Sequence, residues 1–130
     1  MLKIGVGAGF SGDRIDAAET LLNNVDLDYI VFECLAERTI ALAQQRKKED
    51  EQAGYDPLLE KRIRKILPLL INRKVKLITN MGAANPYAGG EKIIEVAQEL
   101  GLPCKVAVVT GDDVLNKLDD KSTKSLANAK

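Results

Sequence analysis

The chain has 130 residues, of which 45% are hydrophobic, and its 19 basic side chains balance 19 acidic ones. This length corresponds to one small domain that can bury a core. The zero net charge and the 4% aromatic content argue against a basic, aromatic-lined surface, so we expect no nucleic-acid partner. No apolar run reaches the length of a membrane span, and the start Met-Leu-Lys-Ile leads directly into a predicted strand. We therefore expect a cytoplasmic protein without a signal peptide or a membrane partner.

Histidine is absent, and Cys34 and Cys104 are the only cysteines. Their spacing fits neither a zinc site nor a disulfide framework, so we expect both thiols to be reduced and buried. Without histidine, Ser-His-Asp and Cys-His catalysis are excluded. Any chemistry must depend on carboxylates, lysine, arginine, thiols or backbone groups.

The first predicted strand, Leu2 to Val6, leads into a glycine-rich turn and a helical pattern that starts near Asp13, the predicted cap of that helix. Glycine lets the backbone come close to a ligand, and the following helix directs free N–H groups and a partial positive charge at the turn. We predict that this turn binds an anionic group. Its candidate ligand-binding residues are Gly7, Gly9, Phe10, Gly12, Asp13 and Arg14.

The same glycines permit a second interpretation. Gly7, Gly9 and Gly12 form the pattern G-x-G-x-x-G, and Glu33 stands 21 residues later, where a dinucleotide-binding fold places its ribose-binding acid. Binding of NAD(P) or FAD is therefore an alternative. Any tight turn between a strand and a helix also favours glycine, so the pattern alone does not decide between the two.

The second strand is predicted at Tyr29 to Cys34, whose continuous apolar run suits a strand that is covered on both faces. Glu33 near its end requires a partner or an opening to solvent. A helix follows from Leu35 and becomes polar after Ala43. Glu37 and Arg38 lie in its first turn, at the same edge as the glycine turn, and are candidate ligand-binding residues.

The sequence Gly54-Tyr55-Asp56-Pro57 predicts the end of one helix and the start of a third, with Asp56 as N-cap and Pro57 at the first helical position. Pro68 predicts a kink or an early end. The predicted buried stripe consists of Leu59, Ile63, Ile66, Leu67, Leu70 and Ile71. The predicted opposite face carries Lys61, Arg62, Arg64 and Lys65.

The third strand, Val75 to Asn80, ends in a second unusual loop that leads to Pro86. Asn85 and Pro86 are typical of a helix start, and Gly101 closes that helix. Helix capping does not account for Asn80, whose amide stands where the strand stops, so a role in recognition is predicted for it. Gly82 and Asn85 in this loop are further candidate ligand-binding residues.

A fourth strand is predicted at Lys105 to Thr110, followed by Asp112 and Asp113 and a short helix through Leu118. Asp112 is predicted to cap this helix or to bind ligand, and Asp113 is a candidate catalytic acid or base together with Glu33. These three carboxylates could alternatively hold Mg²⁺. Residues 119–130 lack apolar periodicity and are predicted to be a mobile tail.

The order βαβααβαβα predicts a single α/β domain, residues 1–118, with an open parallel four-stranded sheet and helices on both faces. We expect a Rossmann-like or flavodoxin-like arrangement with strand order 2-1-3-4, because the longest connection follows strand two. An apolar fourth strand at the edge of the sheet would be poorly protected from solvent. It predicts a homo-oligomer or a partner chain.

Five motifs also carry a family resemblance. They are Gly-Ala-Gly-Phe-Ser-Gly-Asp-Arg (7–14), Phe-Glu-Cys-Leu-Ala-Glu-Arg-Thr (32–39), Gly-Tyr-Asp-Pro (54–57), Thr-Asn-Met-Gly-Ala-Ala-Asn-Pro (79–86) and Gly-Asp-Asp-Val (111–114). In this order they resemble the amino-terminal part of the acyclic terpene utilisation protein A family. The resemblance implies a role in the degradation of acyclic terpenes such as citronellol and geraniol, and a chain shorter than the family's members.

The leading hypothesis is a domain of a catabolic enzyme that acts on a small carboxylate or acyl thioester. The glycines would cradle the anionic part, Glu33 or Asp113 would act as acid or base, and Arg14 would hold negative charge. Asn80 and Asn85 would orient a carbonyl group. The alternatives are a nucleotide-binding module, in which Glu33 meets a ribose, and a non-catalytic partner subunit; no cofactor is assigned.

Overall fold

The computed structural model describes residues 1–117. Three parallel strands, four α-helices and one 3-10 turn make up this part of the chain, which confirms an α/β fold built on a parallel sheet. The elements are β1 (Ile4–Ala8), α1 (Asp16–Asn24), β2 (Tyr29–Phe32), α2 (Glu37–Glu49), α3 (Leu59–Arg73), β3 (Lys76–Thr79), α4 (Pro86–Glu99) and the turn at Leu115–Lys117.

The strands lie in the order β1-β2-β3, so the predicted order 2-1-3-4 is wrong. Strand β2 is central: Val31 is in register with Val6 on one side and with Ile78 on the other. The long connection after β2 passes through α2 and α3 and does not cross β1. α3 packs against the core, whereas Ala43 is the single buried residue of α2. One right-handed crossover of this kind leads to the neighbouring strand position.

The inward strand residues Ile30 and Phe32 are buried in the core, whereas Ile4, Val6 and Ile78 on the opposite face are exposed. The helices therefore cover one face of the sheet, and the prediction of helices on both faces is wrong for residues 1–117. The connections from β1 to β2 and from β2 to β3 both move in the same direction across the sheet. Right-handed crossovers in one direction place their helices on the same face of the sheet. α3 contacts both α1 and α4. The core lies between these helices and the inward side chains of the sheet, and includes Leu22, Ile30, Phe32, Ile63, Ile66 and Val96.

No fourth strand forms at 105–110 within the described residues, which corrects the prediction of a four-stranded sheet. The segment makes no backbone hydrogen bond to β3 among residues 1–117, although its exposure alternates along the chain as in a strand. Val106 and Val108 instead approach Gly90 of α4, where an added Cβ would lie 2.8 Å from a methyl group of Val108. Apolar alternation thus reflects packing against a helix here, not strand pairing.

The ends of several elements differ from the predictions. α1 begins at Asp16, not at Asp13, and α3 begins at Leu59 after a turn that contains Pro57. Pro68 does not end α3, which continues to Arg73. The start of α4 is confirmed, because Asn85 accepts a hydrogen bond from the Ala88 N–H and Pro86 is the first helical residue.

Within residues 1–117 no helix combines the length and the apolar character that crossing a bilayer requires. The predicted tail, 119–130, and the last residue of the predicted domain, Leu118, lie outside the described residues.

Candidate functional site

The glycine turn occupies residues 9–14 at the carboxyl end of β1. Gly7, predicted to cradle a ligand, lies inside β1 and is buried. An added Cβ there would lie 2.1 Å from Cε1 of Phe32. Gly7 therefore serves close packing within the sheet, whereas Gly9 and Gly12 are exposed in the turn.

Asp13 holds the turn in shape from within. Its Oδ2 accepts a hydrogen bond from the Gly9 N–H at 2.9 Å, and its Oδ1 accepts one from the Arg14 N–H at 2.8 Å. The Gly9 hydrogen bond is the main reason that the pKa of Asp13 lies below its ordinary value. Asp13 therefore stabilises the turn and does not cap α1, whose N-cap position is Ile15.

Three N–H groups of the turn, those of Phe10, Ser11 and Gly12, have no acceptor among residues 1–117. The Phe10 ring beside them is 59% exposed. Where successive N–H groups of a turn point to the same side, they form a concave site that attracts anions and carbonyl oxygens. The N–H groups of Phe10, Ser11 and Gly12 are free of acceptors in the described part of the chain, whereas the Gly9 N–H is occupied by Asp13.

Arg14 pairs with Asp16, not with Glu33 or Glu37. Its Nε donates to Oδ1 of Asp16 at 2.7 Å, and its Nη2 contacts Oδ2 of the same carboxylate. The hydrogen bond from Arg14 lowers the pKa of Asp16 to about 2. The Arg14 side chain remains largely exposed, so a ligand would compete with Asp16 for its guanidinium.

Arg62 lies beneath the turn and is fully buried, although the sequence pattern placed it on the solvent face of α3. Its Nη2 donates to the carbonyl oxygens of Ser11 and Asp13, both at 2.8 Å. The guanidinium lies 5.7 Å from the centre of the Phe32 ring. Its Nε and Nη1 have no partner among the described residues. The sequence did contain a signal, because Arg62 stands three residues after Leu59, within the buried stripe.

A second contact anchors the turn to the start of α3. The Ser11 hydroxyl donates to Oδ2 of Asp56, which is buried. Oδ1 of Asp56 accepts from the Leu58 N–H at 2.8 Å, and the Asp56 N–H donates to the Met81 carbonyl at 2.8 Å. The prediction that Asp56 is the N-cap of α3 is wrong, because Leu58 holds that position. Asp56 instead stabilises the turn before α3 and joins the loops that follow β1 and β3.

Glu33, Cys34 and Asn80 form a polar cluster where β2 and β3 end. Asn80 accepts a hydrogen bond from the Cys34 N–H at 2.7 Å and donates from Nδ2 to Oε1 of Glu33 at 3.0 Å. That donation, followed by one from the Leu35 N–H, lowers the pKa of Glu33. Glu33 is therefore ionised at neutral pH and exposed, which suits a hydrogen-bond acceptor better than a general acid.

Gly82 and Asn85 serve the structure of the loop after β3. A Cβ at Gly82 would lie 2.7 Å from Cα of Pro86. The Asn85 amide, which is buried, donates to the carbonyl oxygens of Glu51 and Ala53 at 2.8 and 2.9 Å. The oxygen of the Asn85 side chain accepts a hydrogen bond from the Ala88 N–H. The amide group of Asn85 is therefore engaged in the structure of the loop.

Glu37 and Arg38 are exposed in the first turn of α2, directly after the Glu33 cluster. Neither side chain makes a hydrogen bond or an ion pair within the described part of the chain. Both are therefore accessible to a ligand at this edge. The capping contact of α2 comes instead from Thr39, whose Oγ1 accepts the Ala36 N–H at 2.7 Å.

Asp112 and Asp113 are exposed in the extended segment before the 3-10 turn. Asp113 accepts a hydrogen bond from the Leu115 N–H at 3.2 Å, the capping contact that was predicted for Asp112. Neither aspartate makes a hydrogen bond to the Glu33 cluster. No group of three or more potential metal ligands occurs among residues 1–117, so the predicted Glu33–Asp112–Asp113 magnesium site is not assembled there.

Two grooves border α4. One groove of about 440 Å³ is bounded by Gly54, Tyr55 and Lys92, and another of about 330 Å³ by Tyr87, Ile94 and Val108. Neither is lined by the glycine turn or the Glu33 cluster.

The comparisons with known proteins agree with the motifs. A sequence model described as acyclic terpene utilisation family protein AtuA matches residues 2–130. No curated protein and no solved structure gives a significant match. Because the family match covers nearly the whole chain, this protein belongs to the acyclic terpene utilisation family AtuA.

Proposed function

We propose that this domain binds a small carboxylate or acyl thioester at the glycine turn, as part of a catabolic protein for acyclic terpenes. The observation that carries the proposal is the set of free N–H groups at Phe10, Ser11 and Gly12. A carboxylate or a polarised carbonyl oxygen is the ligand that such groups stabilise. The family membership supplies the class of compound, and the site supplies the chemistry of binding.

The turn is fixed before any ligand arrives. Arg62 holds two of its carbonyl oxygens from below, Asp56 holds the Ser11 side chain, and Asp13 closes the turn at Gly9. Donors that need no rearrangement bind an anionic oxygen at lower entropic cost. In this proposal the Phe10 ring contacts the apolar part of the ligand.

The charged residues around the turn take auxiliary roles in the proposal. Arg38 attracts the anion, because no described residue forms an ion pair with its guanidinium. Arg14 also attracts the anion, but its guanidinium is already paired with Asp16. Glu33 accepts a hydrogen bond from the ligand in its ionised form. Asp113 has no part in this site, since its carboxylate caps the following turn.

Calorimetric titration of the full chain with geranoyl-CoA tests the proposal, with free CoA and free geranate in separate arms. Gly12→Pro removes one N–H donor, whereas Gly12→Ala retains it and adds a Cβ 3.2 Å from the movable ring of Phe10. We expect saturable binding to the native chain, retention in the alanine variant and a loss of about tenfold or more in the proline variant. Equal affinities for the two variants would contradict the proposal.

A nucleotide-binding module is a second candidate, because two observations favour it. The order β1-β2-β3 equals one half of a doubly wound dinucleotide fold, and the Glu33 N–H donates to the Ala8 carbonyl at 3.0 Å, beside the glycine turn. Against it, the start of α1, where a pyrophosphate would bind, already carries Asp13, Asp16 and Glu19. Titration with NAD⁺, NADP⁺ and FAD in the same calorimeter distinguishes the two candidates.

A further inference from the structure

The face of the sheet opposite the helices is apolar and open. Two rows of side chains cross it in register: Ile4, Tyr29 and Lys76 form the first row, and Val6, Val31 and Ile78 form the second. Ile4, Val6 and Ile78 are 56%, 69% and 54% exposed. We call these six residues, together with Glu33 and Asn80 at the carboxyl end, the outward face.

A parallel sheet is ordinarily covered on both faces, and its strands are correspondingly apolar throughout. Within residues 1–117 only the inward face has that cover. A contiguous patch of large aliphatic side chains on a strand surface marks an interaction site. The outward face is therefore a candidate interaction surface.

The charges on this face identify the partner. Lys76 is the cation at the amino end, and its Nζ leans over the Tyr29 ring of the central strand, 5.4 Å from the ring centre. Glu33, an exposed carboxylate with a lowered pKa, follows at the carboxyl end of the same central strand. Tyr29 and Glu33 are four residues apart, a distance of about 13 Å along a strand. The face is therefore positive at one end, apolar in the middle and negative at the other.

We propose that the outward face binds a second copy of this chain, face to face, with the strands of the two copies antiparallel. A two-fold axis in the plane between the sheets and perpendicular to the strands places each central strand over its counterpart. The ammonium group of Lys76 over Tyr29 then meets Glu33 of the other copy, and the aliphatic rows pack between the two ion pairs. The face is complementary to itself in this orientation alone, since parallel strands would bring lysine to lysine.

The pairing also changes the candidate ligand site. Glu33 at the carboxyl edge gains a cation from the second copy, which reduces the negative charge beside the glycine turn. The proposal does not depend on the ligand, because the association is measured without one.

Sedimentation equilibrium of the full chain with charge-swapped variants tests the arrangement. We expect a concentration-dependent dimer of the native chain, and Lys76→Glu or Glu33→Lys alone to weaken it at least about tenfold. The chain that carries both substitutions should recover most of the affinity, because each new glutamate meets a new lysine. An equimolar mixture of the two single variants should form a mixed dimer in preference to either self-association.

Val6→Glu tests the apolar centre, and Ala17→Glu, on the exposed side of α1, is its charge-matched control. We expect the Val6 variant to be monomeric and the control to dimerise like the native chain. A native chain that remains monomeric at high concentration while binding a hydrophobic dye would overturn the proposal, because something other than a second copy then covers the face. A dimer whose affinity is unchanged by either charge-swapping substitution would also overturn the proposal.

Discussion

The Ser11 hydroxyl donates a hydrogen bond to Oδ2 of Asp56 at 2.5 Å, across 45 residues of sequence. This contact joins the glycine turn after β1 to the beginning of α3. Asp56 is only 4% exposed, so its carboxylate depends on protein donors for its hydrogen bonds. A residue outside the turn therefore helps to stabilise the shape of the candidate site.

Removal of this hydroxyl should destabilise the fold. We expect Ser11→Ala to lower the free energy of unfolding by about 1–3 kcal/mol, because it leaves one oxygen of a buried carboxylate without its donor. Urea denaturation followed by circular dichroism measures the change. Thr20→Ala, at an exposed position of α1, is the control and should stay within about 0.5 kcal/mol of the native value.

Arg62 should contribute far more to stability than its neighbour Arg64. Arg62→Ala removes two charge-assisted hydrogen bonds to the carbonyl oxygens of Ser11 and Asp13, and we expect a loss of about 3 kcal/mol or more. Arg64→Ala breaks only exposed ion pairs with Glu60 and Glu99 and should cost below about 1 kcal/mol. Similar losses in the two variants would show that Arg62 does not support the turn.

Two glycines of the first motif should respond differently to an added methyl group. Gly7→Ala places a Cβ 2.1 Å from the Phe32 ring and 2.9 Å from Ile30, and this overpacking should cost about 1–3 kcal/mol or more. Gly9→Ala has its nearest such contact at 4.0 Å, on the Asp13 carboxylate, and should be nearly neutral. Thermal unfolding of both variants compares them directly. A tolerated alanine at position 7 would refute the packing role of that glycine.

The Glu33–Asn80 contact predicts a pH-dependent variant. The hydrogen bond from Asn80 lowers the pKa of Glu33, so its stabilisation is present above the ordinary pKa of 4.5 and is lost as pH falls through the lower, folded-state value. Asn80→Asp replaces the donor by a second carboxylate. We expect the deficit in unfolding free energy to be greatest at neutral pH and to narrow below about pH 4, as the carboxylates become protonated. Asn80→Ala, which adds no charge, should show a weaker dependence in the same titration.

The two thiols should differ in reactivity. Burial raises the pKa of Cys34 to about 11, and Cys34 is almost completely shielded, whereas Cys104 is half-buried with a pKa that burial raises less. The expectation that both are buried is thus wrong for Cys104. Labelling with a thiol reagent at pH 8 should modify Cys104 first and Cys34 only on unfolding. The Cys104→Ser variant, which retains Cys34 alone, should resist labelling in the folded state; rapid labelling would contradict the burial of Cys34.

Local signals in the sequence predicted the sequence of elements up to α4. The helix start at Asn85-Pro86 depends on hydrogen bonds and backbone angles within a few residues, so its position follows from local sequence. Asp56-Pro57 marks a turn close to α3, but the helix itself starts at Leu59. Strand order was not predictable in this way, because pairing depends on which helix of a long connection packs on the sheet. The apolar segment 105–110 shows the same limit: Val106 and Val108 have a strand-like pattern but pack near α4 without pairing to β3.

The candidate site was predicted where its residues lie near one another in sequence. The contacts of Asp13 with Gly9 and of Arg14 with Asp16 are local, but the roles differ from those predicted, because two carboxylates already occupy donors that a ligand was expected to use. Arg62 was missed because its charge outweighed its position in the buried stripe. Its purpose becomes apparent only when the fold brings the turn, 49 residues away at Asp13, over its guanidinium.

Amide chemical shifts of the uniformly ¹⁵N-labelled chain, followed during titration with geranoyl-CoA, test the central claim most directly. If the glycine turn binds the acyl ligand, the signals of Phe10, Ser11 and Gly12 shift saturably and before those of other residues, since these N–H groups have no other acceptor among residues 1–117. Saturable shifts confined to other parts of the chain, or no shift at these three amides at saturating ligand, would contradict the assignment of the site.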